Sequence, residues 1–233
     1  MGSSDMMSRQ IAGRNLKKKV LELIKGPDFG FSLEEIKRLP CRLVVNPLLS
    51  LMLDPDEQVR WRAVTALGAV VALIARDDME SARVIMRRLM WSLNDESGGI
   101  DWGAPEAMGE IMAQSERIAD EYHAILISYL DENGNFLEYE PLQKGLLWGI
   151  ARLSTVRPDL MEPTLTHLWK YLDSEDPSIR GLSAYTICYL TAGSQADQVK
   201  KLFDDHAEFQ TFWKSELRKF KVSEFIKNAV SSQ

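Results

Sequence analysis

The stretch LDPDEQVRWRAVTALGAV, residues 53–70, decides the fold because related copies of it recur along the chain. LNDESGGIDWGAPEAMGEI, which begins at Leu93, aligns with it at an offset of 41 when both are counted back from a shared glycine. LDSEDPSIRGLSAYTICYL, which begins at Leu172, aligns with it at an offset of about 120. Another unit begins at Leu130, and its register can slip by one residue because its loop differs in length. Four units of roughly forty residues, each containing two helices, predict a solenoid of helical hairpins.

The apolar residues follow a helical period almost everywhere, and the repeats match at buried positions. Val59 aligns with Ile100 and with Ile179, so these residues are expected to be equivalent in the fold. One hairpin cannot bury its apolar stripe alone, so neighbouring hairpins must stack and share a core. The predicted stripe of the first unit's second helix consists of Val59, Ala63, Ala66, Leu67 and Val70. Strand signals are scarce, and 219–222 is the one segment that we expect to be extended.

The first and fourth units carry a pattern in which a turn precedes a V-R-x-x-A helix start. The carriers are Leu53-Asp54-Pro55, Val59-Arg60 and Ala63 in the first unit, and Leu172-Asp173, Pro177, Ile179-Arg180 and Ser183-Ala184 in the fourth. On these residues the chain resembles the HEAT-repeat (armadillo-like) family, which implies an all-α superhelix. The second unit departs from the pattern because Asp101 stands in place of the arginine. The run 96–110 also resembles a small group of uncharacterised bacterial HEAT-like proteins.

The repeats divide the chain into one domain with two caps. Residues 1–10 are expected to be a disordered tail or a tag remnant, and 11–233 a single HEAT-like domain. Within it, 11–42 form an N-terminal cap, 43–192 the four helical hairpins, and 193–233 a C-terminal cap whose aromatic residues cover the last repeat.

Composition excludes several classes of protein. The 28 lysines and arginines against 34 aspartates and glutamates give a net charge of −6, which argues against a nucleic-acid partner. The two cysteines lie far apart, so a disulfide scaffold is excluded and buried thiols are expected. The sequence shows neither an apolar run of the length a membrane span needs nor a secretory signal. We therefore expect no membrane partner and a cytoplasmic protein.

Catalytic and cofactor motifs are missing from the sequence. It contains no GxSxG, no phosphate loop, no dinucleotide fingerprint and no HExxH. His123, His167 and His206 lack a second ligand at metal-binding spacing. We expect no cofactor and no metal, and we favour binding over catalysis while leaving an enzyme open.

The most unusual segment is 94–110, NDESGGIDWGAPEAMGE. Its candidate binding residues are Glu96, Asp101, Trp102, Glu106 and Glu110. One interpretation is an acidic, aromatic-floored pocket for a cationic side chain or a metal ion. The other is structural: the glycines permit a tight turn, and the acidic residues favour the positive end of the following helix.

The second helix of each unit is expected to line a concave face. The further candidate binding residues there are Trp61, Arg62, Trp148, Tyr185 and Tyr189. Tryptophans at this spacing are typical of a core, and the alternative is that they line one groove. Mixed charge with tyrosines suits a protein or peptide surface.

These observations favour a non-enzymatic scaffold that binds a protein or peptide through the concave face and the acidic turn. One alternative is a DNA glycosylase or another DNA-binding repair protein, since some HEAT-like proteins excise alkylated bases with an Asp and tryptophans. A second alternative is a metal or small-ligand pocket at the turn. The partner's identity and the oligomeric state stay open.

Overall fold

The structure is a computed structural model that describes residues 3–93, 102–192 and 197–231. Two helices come before the repeats, α1 (Ser3–Ile24) and α2 (Phe29–Lys37). The helix α1 begins at Ser3, within the segment 1–10 for which the sequence predicts a tail, and no proline interrupts it. Arg62 ties this end of the chain to the repeats, because its guanidinium donates to the carbonyls of Ile24 and Gly26 over 2.9 and 2.8 Å.

The described part of the repeat region contains four pairs, each with a first and a second helical segment. The first segments are α3 (Cys41–Leu51), α5 (Met79–Leu93), α7 (Glu116–Ser128) and a broken run. That run consists of α9 (Pro158–Met161), α10 (Leu165–Leu168) and 3-10 turns at Glu162–Thr164 and Trp169–Asp173. The second helices are α4 (Glu57–Asp77), α6 (Ala104–Gln114), α8 (Glu140–Ser154) and α11 (Pro177–Leu190). This order confirms the predicted all-α solenoid.

The second helices begin with the same local chemistry in the first and fourth pairs. The Asp56 carboxylate accepts from the amides of Gln58 and Val59, and Asp176 does the same for Ser178 and Ile179. Arg60 donates to the carbonyls of Asp54 and Pro55, whereas Arg180 donates to those of Ser174 and Glu175. These equivalent caps and clamps support the predicted alignment of the first and fourth units.

The core lies between the two layers and runs through successive repeats. α4 packs on α6, α6 on α8, and α8 on α11. The predicted stripe of α4 is confirmed, since Val59, Ala63, Ala66, Leu67 and Val70 are all buried. Of the two cysteines, Cys188 is buried and Cys41 is only half-buried. The equivalence with Ile100 lies outside the described residues.

One helix in the described part of the chain, α4, is long and apolar enough to cross a membrane, whereas the sequence predicted no such segment. Most of it is buried within the protein, against α2, α3, α5 and α6. Its apolar length is explained by contacts on several sides rather than by a lipid environment.

The C-terminal region departs from the prediction of helices alone. After α12 (Asp197–Lys200) and a 3-10 turn (Lys201–Asp204), the chain forms strands β1 (Glu208–Trp213) and β2 (Glu216–Lys221). They pair antiparallel, with Phe209 opposite Phe220 and Trp213 opposite Glu216. The segment predicted to be extended, 219–222, belongs to β2 as far as Lys221, whereas Val222 begins the next helix. The final helix α13 (Val222–Ser231) packs on α11 and covers the last repeat.

The hairpin lies on the face formed by the second helices. A Cβ added to Gly181 of α11 would stand 2.9 Å from the Phe209 ring, while the adjacent Gln210 donates to Glu57 of α4 over 2.9 Å. Phe209 and Gln210 are neighbours in β1, and they therefore contact the second helices of the fourth and the first pair, α11 and α4. The stack of second helices must curve to bring α4 and α11 to the same strand, so the face that they form is concave.

Candidate binding site on the concave face

The hairpin covers the two tryptophans that the sequence assigns to the groove. The ring of Phe212 stacks parallel on Trp61 with centroids 5.3 Å apart, and Trp61 lies against Trp148 at 4.6 Å. The indole nitrogen of Trp148 donates to the Phe212 carbonyl over 2.9 Å. Trp61 and Trp148 are therefore brought together on the concave face, as the sequence suggests, but their partner is the protein's own hairpin.

The crossing hairpin leaves two cavities, one on each side of Trp148. The first, the Glu106 cavity, has a volume of about 350 Å³ and lies at the N-terminal ends of the second helices. Its lining includes Glu57, Arg60, Trp61, Trp102, Glu106, Lys144, Gly145, Trp148 and Gln210. The second, the Glu110 cavity, has a volume of about 490 Å³ and lies nearer their C-terminal ends. Its lining includes Glu110, Gln114, Trp148, Arg152, Tyr185, Tyr189, Trp213, Lys214 and Phe225.

Glu106 is held in the first cavity by a glycine on the next helix. A Cβ at Gly145 would lie 2.4 Å from the Glu106 carboxyl carbon, so only glycine leaves room for this side chain. The carboxyl oxygen Oε2 is fully enclosed and has no hydrogen-bond partner within the described residues. Burial raises the pKa of Glu106 to about 7, although a hydrogen bond from its own backbone amide and the charge of Arg60 act in the opposite direction.

The positive groups around this cavity already have partners. The Lys144 ammonium lies 3.1 Å from Glu140 and 2.7 Å from Asp176. Arg60 donates to the two turn carbonyls described above. Two carboxylates thus offset the charge of Lys144, and the buried carboxyl of Glu106 is left without an ion-pair partner among the described residues.

Trp102 lines the Glu106 cavity and contacts a second exposed aromatic residue, Tyr139. Trp102 is 45% exposed and Tyr139 44% exposed, and the two rings meet edge to face at 6.1 Å. Leu53 is also exposed and lines a neighbouring depression together with Trp102. Exposed apolar groups that adjoin one another are typical of an interaction surface.

Glu110, one helical turn after Glu106, lies in the second cavity. It is buried and accepts from Arg152 Nε over 2.7 Å and from the Gln114 amide over 2.6 Å. A Cβ at Gly68 would stand 2.6 Å from its Cγ, so a glycine of α4 makes room for this side chain too. Tyr185 is buried against Phe225, with ring centroids 4.9 Å apart. Tyr189 is half-buried, and its hydroxyl donates to the Thr155 carbonyl over 3.3 Å.

Of the described residues predicted for the site, Arg62 does not line either cavity. Arg62 faces the N-terminal cap, where its guanidinium holds two carbonyls and lies 5.1 Å from the Phe29 ring centroid. The position of Arg62 on α4 suggested that its side chain faces the groove. The guanidinium instead binds carbonyls at the end of α1, where they lack helical hydrogen-bond partners. Glu96 and Asp101 lie outside the described residues. Within the described ranges, no group of three or more His, Cys, Asp or Glu side chains could hold a metal ion.

Several residues that complete the cavities could not be assigned to a site from the sequence. Gly145 and Gly68 seat the two glutamates, and Arg152 pairs with Glu110. Phe212 and Lys214 reach the concave face from the C-terminal hairpin. Aromatic and charged residues are mixed within 208–213 and 216–221, which is the available signal for two strands, but nothing in these segments indicates where a hairpin would dock.

Comparison with known proteins agrees with this architecture. A family model described as HEAT repeat matches residues 44–74, which span parts of α3 and α4. A protein of Archaeoglobus fulgidus, described as uncharacterized, is 30% identical over 128 residues, or 55% of this chain. The match covers 60% of that relative, which is less than two thirds of its length.

Two solved structures align with 93% of this chain. An engineered protein aligns with a TM-score of 0.51 and 15% identity, covering 93% of this chain and 95% of that one, which supports the fold alone. A designed armadillo repeat protein in complex with the peptide (KR)4 aligns with a TM-score of 0.49 and 17% identity, covering 93% and 98% of the two chains. The TM-score of the second alignment is too low to support the fold. The match at 44–74 and the stacked helical pairs together show an α-solenoid fold that is similar to HEAT-repeat proteins.

Proposed function

We propose that this protein is a binding module that captures a basic segment of a partner polypeptide. In this proposal, a lysine or arginine side chain of the partner enters the Glu106 cavity and faces the carboxylate. The observation that carries the proposal is the enclosed Glu106 oxygen, which has no hydrogen-bond partner in the described part of the protein. An unsatisfied buried carboxyl group costs stability, and a bound cation would offset that cost.

The aromatic lining favours a cation over another hydrogen-bond donor. Trp61, Trp102 and Trp148 all line the cavity that contains Glu106. The face of an indole attracts a cation, and the attraction is stronger where water is excluded. The carboxylate and the indoles therefore favour the same class of ligand.

The surface outside the cavity supports a polypeptide rather than a free cation as the ligand. Trp102 and Tyr139 lie side by side at its edge and are both partly exposed. Aromatic residues of this kind are enriched at protein interfaces. The partner's backbone would cross Trp102 and Tyr139 while its basic side chain occupies the cavity.

Three peptides with blocked termini test the proposal. Each has one variable residue between glycines, which is arginine, lysine or the neutral citrulline. Calorimetric titration at pH 8 should give at least tenfold tighter binding of the arginine or lysine peptide than of the citrulline peptide. Glu106→Gln should remove this preference, because the amide keeps the shape of the side chain and loses its charge. Glu116→Gln, on the exposed start of α7, is the matched control and should change nothing.

The dependence on pH gives a second test. The Glu106 pKa of about 7 means that the carboxylate fraction increases about tenfold between pH 6 and pH 8. Binding of the arginine peptide should strengthen by a similar factor in the wild type and should not change in Glu106→Gln. Equal affinity for the arginine and citrulline peptides would contradict the proposal.

A further inference from the structure

The Glu110 cavity has the size and lining of a site for one small organic molecule. Its volume of about 490 Å³ falls within the range of ligand pockets. Aromatic side chains form much of its wall, namely Trp148, Tyr185, Tyr189, Phe212, Trp213 and Phe225. Flat apolar walls of this kind suit a planar aromatic ligand.

Polar groups without partners line the same cavity. Arg152 uses Nε to bind Glu110, and its two terminal nitrogens have no hydrogen-bond partner among the described residues. The Tyr185 hydroxyl and the Lys214 ammonium likewise have no partner in the described part of the chain. The cavity thus offers hydrogen-bond donors from three side chains in three different parts of the fold, namely α8, α11 and the turn between β1 and β2.

The position of Arg152 is fixed in a way that suits a carboxylate ligand. One carboxylate oxygen of the buried Glu110 accepts from Arg152 Nε, and the other accepts from the Gln114 amide. The edge formed by the two terminal nitrogens stays available. A guanidinium edge matches the two oxygens of a carboxylate, which makes paired hydrogen bonds with it.

The turn that carries Lys214 supports a role for this residue beyond folding. Lys214 and Ser215 are the two loop residues of the hairpin and have φ angles of 51° and 68°. Asn-Gly is the favoured sequence for a two-residue turn with both φ angles positive, and a lysine there carries a conformational cost. That cost is explained if the Lys214 ammonium binds a ligand in the cavity that it lines.

Charge then selects the class of ligand. Among the ionisable groups that line the cavity, Arg152 and Lys214 are positive and Glu110 is negative, so one positive charge is left over. A carboxylate carries one negative charge, whereas a phosphate monoester carries close to two. The geometry points to a binding site for a small aromatic carboxylate, with its ring against Tyr185 and Trp213 and its carboxylate between Arg152 and Lys214.

The probe for this site is indole-3-acetate, and its neutral counterpart is indole-3-acetamide, which has nearly the same shape. Calorimetric titration of the full chain should give at least tenfold tighter binding of the acetate. A double variant, Lys214→Asn with Ser215→Gly, replaces the strained turn by the favoured sequence and removes the charge. It should raise the melting temperature and weaken binding of indole-3-acetate at least fivefold.

Lys219→Gln is the matched control because Lys219 is exposed on β2, opposite Gln210, and does not line the cavity. It should bind indole-3-acetate as the wild type does, and so should Glu106→Gln, which separates this site from the Glu106 cavity. Equal affinity for the acetate and the acetamide would overturn the inference. Unchanged acetate binding by the stabilised turn variant would overturn it as well.

Discussion

Gly109 and Gly149 stand against each other where α6 crosses α8. A Cβ added to Gly109 would lie 2.4 Å from the Gly149 Cα, so the two helix backbones are in direct contact at this point. No side chain can be accommodated between them without moving a helix. This contact sets the spacing of the second and third repeats, and with it the position of Glu106 and Glu110 on α6.

Gly109→Ala should therefore destabilise the fold strongly. The added methyl group meets backbone atoms that cannot rotate away, and we expect a loss of about 3 kcal/mol in the free energy of unfolding, at the upper end of the usual range for overpacking. Urea denaturation followed by circular dichroism measures this loss. Gly13→Ala is the matched control, since a Cβ at Gly13 in α1 meets nothing within 4 Å. That control should be neutral or gain up to about 1 kcal/mol.

The N-terminal caps of α4 and α11 should respond differently to substitution. Asp56→Ala should cost about 1 kcal/mol because two amides of α4 lose their acceptor. Asp176→Ala should cost more, since Asp176 also lies 2.7 Å from Lys144. Asparagine keeps the cap and removes the charge, so Asp56→Asn should be nearly neutral and Asp176→Asn should lose only the ion pair. Equal losses for the two alanine variants in thermal denaturation would argue against this distinction.

Glu106 should make the protein less stable as the pH rises. Its pKa is about 7 in the folded protein and near the usual 4.5 of a glutamate in the unfolded chain, so the folded state retains a proton that the unfolded state releases. The free energy of unfolding therefore falls between about pH 4.5 and pH 7, and above pH 7 the whole penalty applies. Glu106→Gln should remove this fall and gain on the order of 3 kcal/mol at pH 8.

Urea denaturation of the wild type and Glu106→Gln at several pH values measures this difference. Glu116→Gln serves as the control, because this exposed glutamate should leave the pH profile unchanged. Parallel profiles for the wild type and Glu106→Gln would be inconsistent with a buried, uncompensated carboxylate.

Phe212 should anchor the hairpin to the concave face. Its ring stacks on Trp61, and its carbonyl accepts from the Trp148 indole. Phe212→Ala removes the ring and should cost about 3 kcal/mol. Amide hydrogen exchange should become faster in β1 and β2, while α4, α6 and α8 keep most of their protection. Uniform loss of protection throughout the chain would indicate that the hairpin and the helices unfold together.

Much of the repeat architecture could be predicted because its signals are local. Ala63 and Leu67 were predicted to be buried from their spacing, and both have no exposed surface. A stripe with a helical period has to face a neighbour, whatever that neighbour is. The alignment of Arg60 with Arg180 also succeeded, since each arginine clamps carbonyls only five and six residues before it.

The candidate site could be predicted only in part. Trp61, Trp148, Glu106 and Glu110 do line cavities on the concave face. The pairing of Glu110 with Arg152 across two helices could not be inferred, because it depends on how closely α6 and α8 approach. The orientation of Arg62 toward the N-terminal cap depends in the same way on where α1 ends.

The sequence by itself determined the repeat and the buried stripes, since each of them arises from residues a few positions apart. Only the tertiary structure decided that the hairpin covers Trp61 and Trp148 and divides the groove into two cavities. Phe212 and Trp61 are far apart in the chain, and a two-stranded hairpin gains its stability from the surface on which it docks. Such a contact depends on the complementary shapes of finished elements, which the local periodicity of the chain does not encode.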